Sequence, residues 1–508
     1  MRIGKEADTR MEVKRNFIGG AWVLSETGNT RDVINPATGE VIALTTDSSA
    51  ADTETAIAAA KKSFYETREW RDMDCQMRAD IMLKIADLMQ ESAAQLAELD
   101  TIDNGKPLRE SEGDVDDAIH CFRYYAGLIC APHGVSYDVP TGFGPMHSYT
   151  IHEPVGVCGQ ITPWNYPLLM STWKLAPGMA AGNSIVFKPS SNAPLSTIRL
   201  FEIFEEAGVP AGAVNLVLGS GGAVGQTIAA SKDVDMVTFT GSTKVGQEIM
   251  AAAVGNLKKV GLELGGKSPN IIFADADIDG AVEWAMIGTF FNQGQVCSAC
   301  ARIYVERSIQ EEFVSKLVAK ANAITIGNGM ENPDLGPLIT EGDMNKVLGY
   351  IQKGIEEGAT LRCGGKRYTA NGCENGYFVE PTVFDNCTQD MTIVREEIFG
   401  PVCAVIPFDT EEEAIAMAND TEYGLAGAVC TRDGAKAIRV MKEIRAGILW
   451  VNCCQPTFSE APWGGYKMSG LGRELSIHGL EEYQEVKQVN IALETGPIGW
   501  YEHTQPRS

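Results

Sequence analysis

The sequence holds no pair of metal-chelating half-sites. Its six histidines (His120, His133, His147, His152, His478 and His503) form no H-x-x-x-H pair, and Cys453 and Cys454 are adjacent, with no chelating gap. Only Cys297 and Cys300 have C-x-x-C spacing, so a four-ligand zinc site would lack its second half. Basic residues are the minority, 42 Lys and Arg against 67 Asp and Glu, for a formal net charge of −25. Phosphates would be repelled, which argues against a nucleic-acid or anionic-membrane partner and favours a cationic substrate. Long apolar runs are missing too. The longest uncharged stretch, Ala207 to Ser231, is broken by Pro210 and by glycines from Gly208 to Gly225. A membrane helix needs about 20 mostly apolar residues, so no span is expected. The N-terminal MRIGKEADTRMEVKRNF has neither the apolar core nor the small-residue cleavage site of a secretory signal. Thirteen cysteines, an odd number with no framework spacing, point to reduced thiols and a cytoplasmic setting. There is no internal repeat and no low-complexity segment.

What is present is an ordinary globular composition, 44% apolar and 21% charged, in 508 residues. That is enough for two or three domains. Helical patterns run over Asp52 to Tyr65 and over Met77 to Leu99. SIVFKPS (Ser184 to Ser190), AVNLVLG (Ala213 to Gly219) and DMVTFTG (Asp235 to Gly241) read as buried strands. Helical segments Ala193 to Glu206 and Ser242 to Ala253 alternate with them, which predicts a parallel doubly wound sheet. NIIFADA (Asn270 to Ala276) opens a second α/β series, continued by ARIYVER, PVCAVIPF and GILWVN. The boundary falls at the Gly-rich LELGGKSPN. SYTIHEP (Ser148 to Pro154) and KQVNIAL (Lys487 to Leu493) alternate like strands; they would pair, or form an arm on another subunit.

Four motifs carry chemistry. FTGSTKVG sets Gly241 and Gly246 at a strand-to-helix turn, where bare backbone lets a pyrophosphate approach a helix N-terminus; the same pattern also suits a plain tight turn. Cys297, in FFNQGQVCSACAR, is open to three readings: a nucleophile, half of a redox pair with Cys300, or a buried inert thiol. Glu263 lies between two leucines, and burial there would raise its pKa into the range of a general base. In ITPWNYPLLMSTWK, Pro167 suits a helix start, and Tyr166, Met170 and Trp173 fall on one face, either a core stripe or a pocket wall. Asn165 precedes that helix with an amide able to donate to an oxyanion.

Together PWNYP, FKPS, FTGSTKVG, LELGGKSPNI, FFNQGQVCSA, EEIFGPV, NDTEYGLAGAV and PWGGYKMSGLGRE, in this order, resemble the NAD(P)-dependent aldehyde dehydrogenase superfamily over about Asn16 to Leu493. The resemblance implies an α/β fold: a Rossmann-type cofactor domain (11–134 and 153–264), an α/β catalytic domain (265–475) and a small β oligomerisation arm with the C-terminal segment (135–152 and 476–500). It implies Cys297 as the nucleophile, Glu263 as the base that activates water, and Asn165 with the Cys297 N–H as the oxyanion hole. Lys188 would meet the adenosine ribose, Glu397 the nicotinamide ribose, and Phe399 would pack on the cofactor. Ile161, Thr162, Trp164, Ser190 and Ser191 would line the same cleft. Gly241 and Ser242 would begin the turn that meets the pyrophosphate, and Gly221, Gly225, Phe239, Val245, Leu264 and Gly265 would also bind the cofactor. No metal is implied. Where many NAD-preferring members read Lys-Pro-Ser-Glu, this chain reads Lys188-Pro189-Ser190-Ser191. A serine does not repel a 2′-phosphate as a carboxylate would, so the expected cofactor is NAD with NADP also accepted.

Within the superfamily the chain looks most like betaine-aldehyde and aminoaldehyde dehydrogenases. The resemblance makes Tyr166, Trp173 and Trp463 walls of an aromatic box for a quaternary ammonium, with Met170 beside them. Phe291 stands where some members carry Trp, and Cys454 holds a position kept small in members that accept betaine aldehyde. Rings suit a trimethylammonium because it donates no ordinary hydrogen bond. The expected substrate is therefore a small cationic aldehyde, in a homo-oligomer of two or four subunits. A silent structural member and a CoA-acylating enzyme are the rivals. Cys297 and Cys300 are also close enough in sequence to suggest a reversible disulfide.

Overall fold

The computed structural model describes residues 11–131, 134–140, 142, 144–497 and 500. His133, His503 and most of the N-terminal stretch read above lie outside them. Helix α1 (Ala50–Lys62) starts on a capping box, in which the Ser49 side chain accepts from the Asp52 N–H and the Asp52 carboxylate accepts from the Ser49 N–H. It is followed by α2 (Cys75–Glu91), α3 (Ala93–Asn104) and α4 (Leu108–Leu128). The expected single helix Met77 to Leu99 is thus two. Ser92, at φ −98° and ψ 9°, ends α2, and its hydroxyl accepts from the Arg199 guanidinium. Buried apolar residues continue on both sides of the break, so periodicity alone does not mark it.

The first large sheet has eight strands. Its five parallel members, Val157–Ile161, Ser184–Lys188, Val214–Leu216, Met236–Thr240 and Lys259–Glu263, are linked through α5 (Pro167–Ala180), α6 (Leu195–Ala207), α7 (Gln226–Ala230) and α8 (Thr243–Ala253). Four of these strands are buried end to end, as parallel strands covered on both faces must be. Asn16–Ile18 with Ala21–Val23 closes one edge, and Gly470–Leu471 the other, both antiparallel. The strands are shorter than the sequence pattern suggests: Val214–Leu216 occupies only the centre of AVNLVLG.

The second sheet has seven strands, in the order Thr360–Cys363, Thr382–Asp385, Val402–Phe408, Arg302–Glu306, Pro269–Ile272, Ala426–Cys430 and Ile448–Val451. All pairings are parallel except the first. Helix α9 (Ile278–Phe290) leads from it to the segment carrying Cys297. SYTIHEP and KQVNIAL do pair: Met146–Pro154 lies antiparallel to Gln484–Ala492, with Ile151 opposite Lys487 and His147 opposite Ile491. Among the described residues, no helix is long and apolar enough to cross a membrane.

Candidate active site

The ends of Met236–Thr240 and Lys259–Glu263 meet α5, α9 and the loops around Cys297 and Cys454 at one cavity of about 1030 Å³. Cys297 and Glu263 line it, together with the expected substrate residues Tyr166, Met170, Trp173, Phe291, Cys454 and Trp463. The backbone before Cys297 is unusual. Asn292, Gln293 and Gly294 are all left-handed, at φ 46°, 58° and 71°. Three such residues in a row are strained, and they persist because their surroundings hold them. The Asn292 side chain donates to the Asn165 carbonyl at 2.7 Å, and its N–H donates to buried Glu110 at 2.9 Å. Asn165 donates in turn to the Gln295 carbonyl at 2.8 Å. Its amide nitrogen has a second hydrogen, which is the one left for an oxyanion. Asn104 braces the same loop by donating to the Trp164 carbonyl.

Cys297 is held as a thiol. Burial, then the nearby carboxylates of Glu263 and Glu397, push its pKa up to about 12. Glu263 ends its strand fully buried, and neither carboxylate oxygen has a hydrogen-bond partner. Burial, then Glu474, holds its pKa well above the usual carboxylate range. Two orphaned oxygens facing a cavity beside a thiol suit a group that exchanges protons with water. Glu474 is itself paired to buried Lys174. The fit of backbone to nucleophile is close: a Cβ on Gly266 would stand 2.4 Å from the Cys297 carbonyl. Gly266 also donates its N–H to Glu397 at 3.0 Å, while burial raises Glu397 to about 7.

The aromatic walls are in contact. Trp173 and Trp463 meet edge to face at 5.4 Å, and Trp450 backs Trp463 at 6.4 Å. The sequence reading missed an acidic wall. Glu110, Asp114 and Asp117 of α4 line the cavity. The buried Lys106 ammonium reaches Asp114 at 2.5 Å and lies over the Tyr166 ring at 4.0 Å. Asp117 has no ion pair with a basic partner among the described residues; burial, then Asp114, raises its pKa to about 6. These three carboxylates occupy i, i+4 and i+7 of one helix face, a stripe visible in RESEGDVDDAIH. That stripe is the signal that could have found them.

Most of the residues expected to meet a cofactor lie along the first sheet. Lys188 is buried, donates to the Pro189 carbonyl at 2.9 Å, and is lowered to about 8 by burial and then by Arg31. Gly225 brings Ile161 and Lys188 together: a Cβ there would touch both at 3.7–3.8 Å. The Thr162 hydroxyl is buried without a partner, and Gly221 and Gly222 face open space. Ser242 caps α8 by accepting from the Val245 N–H, with the Gly241 backbone against the Phe239 ring. Gly246 lies tight on Leu264, and Gly265 tight on Glu397. Trp164 and Phe399 meet edge to face at 5.4 Å. The Ser191 hydroxyl donates to the Gly219 carbonyl and Ser190 accepts from the Asn192 N–H, so no carboxylate occupies this position. An orphaned hydroxyl and a bare glycine turn at the start of α8 fit the phosphates of a dinucleotide.

Cys300 does not behave as the spacing suggests. It is fully buried, donates to the Ser298 carbonyl at 3.6 Å, and packs with Cys454 around Gly288. The expected disulfide partner, Cys297, has carboxylates as its main charged neighbours instead. Among the described residues, no cluster of His, Cys, Asp or Glu could hold a metal.

A doubly wound cofactor sheet, joined at a cysteine-bearing cavity to a second α/β sheet, defines a dinucleotide-dependent oxidoreductase architecture with a thiol at its centre. The chain belongs to the aldehyde dehydrogenase family, whose model matches residues 22–489. It is 49% identical to betaine aldehyde dehydrogenase of Bacillus subtilis (strain 168), over 96% of this chain and 99% of that one. It is 46% identical to retinal dehydrogenase 2 of Gallus gallus, over 95% and 93%. A crystal structure of betaine aldehyde dehydrogenase from Staphylococcus aureus in complex with NAD+ superposes with a TM-score of 0.93. That protein is 46% identical, with 96% of each chain covered.

Proposed function

We propose that the protein oxidises betaine aldehyde to glycine betaine with NAD, accepting NADP as well. The carrying observation is one cavity that holds a cysteine, a box of Tyr166, Trp173 and Trp463, and the carboxylates Asp114 and Asp117. Rings suit a cation that cannot donate hydrogen bonds, at about 0.5–2 kcal/mol per good contact, and the carboxylates add attraction for its charge. In this reading Cys297 attacks the aldehyde carbon once its proton is removed, forming a thiohemiacetal. The second Asn165 N–H and the Cys297 N–H hold the developing alkoxide. Bound NAD(P)+ supplies the hydride acceptor. Glu263 then takes a proton from the water that hydrolyses the thioester on Cys297, its burial having raised its pKa above the usual carboxylate range. Lys188, Ser190, Ser191 and Thr162 hold the adenosine side of the cofactor, and Glu397 and Phe399 the nicotinamide side. The cofactor unit is 11–134 with 153–264, the catalytic unit 265–475, and the arm 135–152 with 476–500.

The subunit works in a homo-oligomer. The sheet formed by Met146–Pro154 and Gln484–Ala492 exposes Ile151 and Ile491, and Leu493 follows them into solvent. Thirteen free cysteines support a reducing, cytoplasmic setting.

The test is a panel of betaine aldehyde, aminoaldehydes and aliphatic aldehydes, each with NAD and with NADP. Betaine aldehyde should give the highest kcat/KM. An uncharged aldehyde preferred tenfold or more would overturn the cation reading, and negligible turnover with NADP would overturn dual cofactor use. Cys297→Ala should abolish turnover with every substrate, while Cys300→Ala should keep most of it. Product formation should not depend on CoA, because Glu263 delivers water.

A further inference from the structure

Behind the aldehyde pocket lies a second thiol pair that the reaction does not use. Cys454 forms part of the cavity wall, and Cys300 sits fully buried beside it. Gly288 of α9 is the residue that lets them meet. A Cβ there would stand 2.9 Å from the Cys454 sulfur, 3.7 Å from the Cys454 Cβ and 3.3 Å from the Cys300 Cβ. Their segments are strapped together by Gln455. Its amide donates to the Ser298 carbonyl at 3.1 Å, and its side-chain oxygen accepts from the Ser298 hydroxyl at 2.6 Å. Asn452 and Gln455 are both left-handed, at φ 56° and 80°, which fixes the turn that presents Cys454.

We propose that Cys300 and Cys454 form a reversible disulfide when hydrogen peroxide enters the aldehyde pocket, a modification site separate from the nucleophile. The pocket-facing thiol reacts first: the Cys454 sulfur takes one peroxide oxygen, the O–O bond breaks, and Cys454–SOH and one water result. The Cys300 sulfur then attacks the sulfenic sulfur, the S–O bond breaks, and a second water leaves. Two thiols and one peroxide give one disulfide and two waters. The sulfur pair loses two electrons, and the peroxide oxygens gain them. A dithiol reverses the bond by exchange. Cys300 is the resolving partner because it packs with the Cys454 sulfur against Gly288, whereas Cys297 lies beside the carboxylates of Glu263 and Glu397.

The experiment treats the full-length enzyme with hydrogen peroxide, alkylates the remaining thiols, and maps peptides without reduction. A cross-linked peptide two hydrogens lighter than its parts should join Cys300 to Cys454 and vanish after dithiothreitol. It should form equally in Cys297→Ser and be absent from Cys300→Ala, which still turns over aldehyde. Several results would overturn the proposal: a cross-link from Cys454 to neighbouring Cys430 or Cys453, one joining Cys300 to Cys297, or free Cys300 once Cys297 is fully oxidised.

Discussion

Cys297 is half-buried beside two carboxylates, and both features oppose its ionisation. A thiol pushed up to about 12 gains reactive thiolate with every step in pH across the working range. Iodoacetamide inactivation of the cofactor-free enzyme should therefore accelerate steadily towards pH 10; a plateau near neutrality would contradict this environment. Asp117 makes a second residue-scale prediction. Its carboxylate, raised to about 6 by burial and then by Asp114, stands at the cavity without a basic ion-pair partner. Asp117→Asn should raise KM for a cationic aldehyde about fivefold, the factor for about 1 kcal/mol, and leave an uncharged aldehyde unchanged. Below about pH 6 the wild type should approach the variant, because protonation removes the same charge. An equal change for both substrates would show a packing effect instead. Cys297, Glu263 and Asn165 were legible in the sequence because each sits in a short, distinctive motif. Asp114 and Asp117 were not, because acidic residues spaced along a helix usually face solvent. Only the packing of α4 against the pocket shows otherwise.

At the scale of elements, the left-handed run from Asn292 to Gly294 leads into Cys297, the proposed nucleophile. Gly294 combines φ +71° with a close approach: an added Cβ would stand 2.2 Å from the Gly400 carbonyl oxygen. That neighbour is backbone and cannot rotate away. Gly294→Ala should cost at least 1–3 kcal/mol, about the scale of a strained backbone position. It should also cut kcat by about a hundredfold, because a displacement near 1 Å at a reacting group costs that much. Thermal unfolding and steady-state kinetics would check both; wild-type kcat would show that the run does not aim Cys297. The strand–helix alternation of both sheets was readable from short apolar runs between glycine-rich turns. The break between α2 and α3 was not. It depends on Arg199, over a hundred residues away, reaching the Ser92 hydroxyl, and no local pattern carries that contact.

For the whole molecule, the proposed association would have to overcome charge. Each chain carries −25, so two copies repel one another, and an interface between them must rest on apolar burial rather than on ion pairs. The sheet of Met146–Pro154 and Gln484–Ala492 offers that surface: its outer strand has an unpaired edge, and Ile151 and Ile491 lie exposed on one face. Such an edge is ordinarily blunted or covered, and covering by a second copy does both. At about 1 M salt the screening length is about 3 Å, which removes most of the repulsion and leaves the apolar contact intact. The oligomer should thus hold or tighten at high salt, whereas an ion-pair interface would loosen. Ile151→Asp combined with Ile491→Asp places two charges where burial is required. The mass measured by light scattering should fall towards a smaller assembly, with the fold preserved in far-ultraviolet circular dichroism. An unchanged mass in the double variant would mean that another surface joins the subunits.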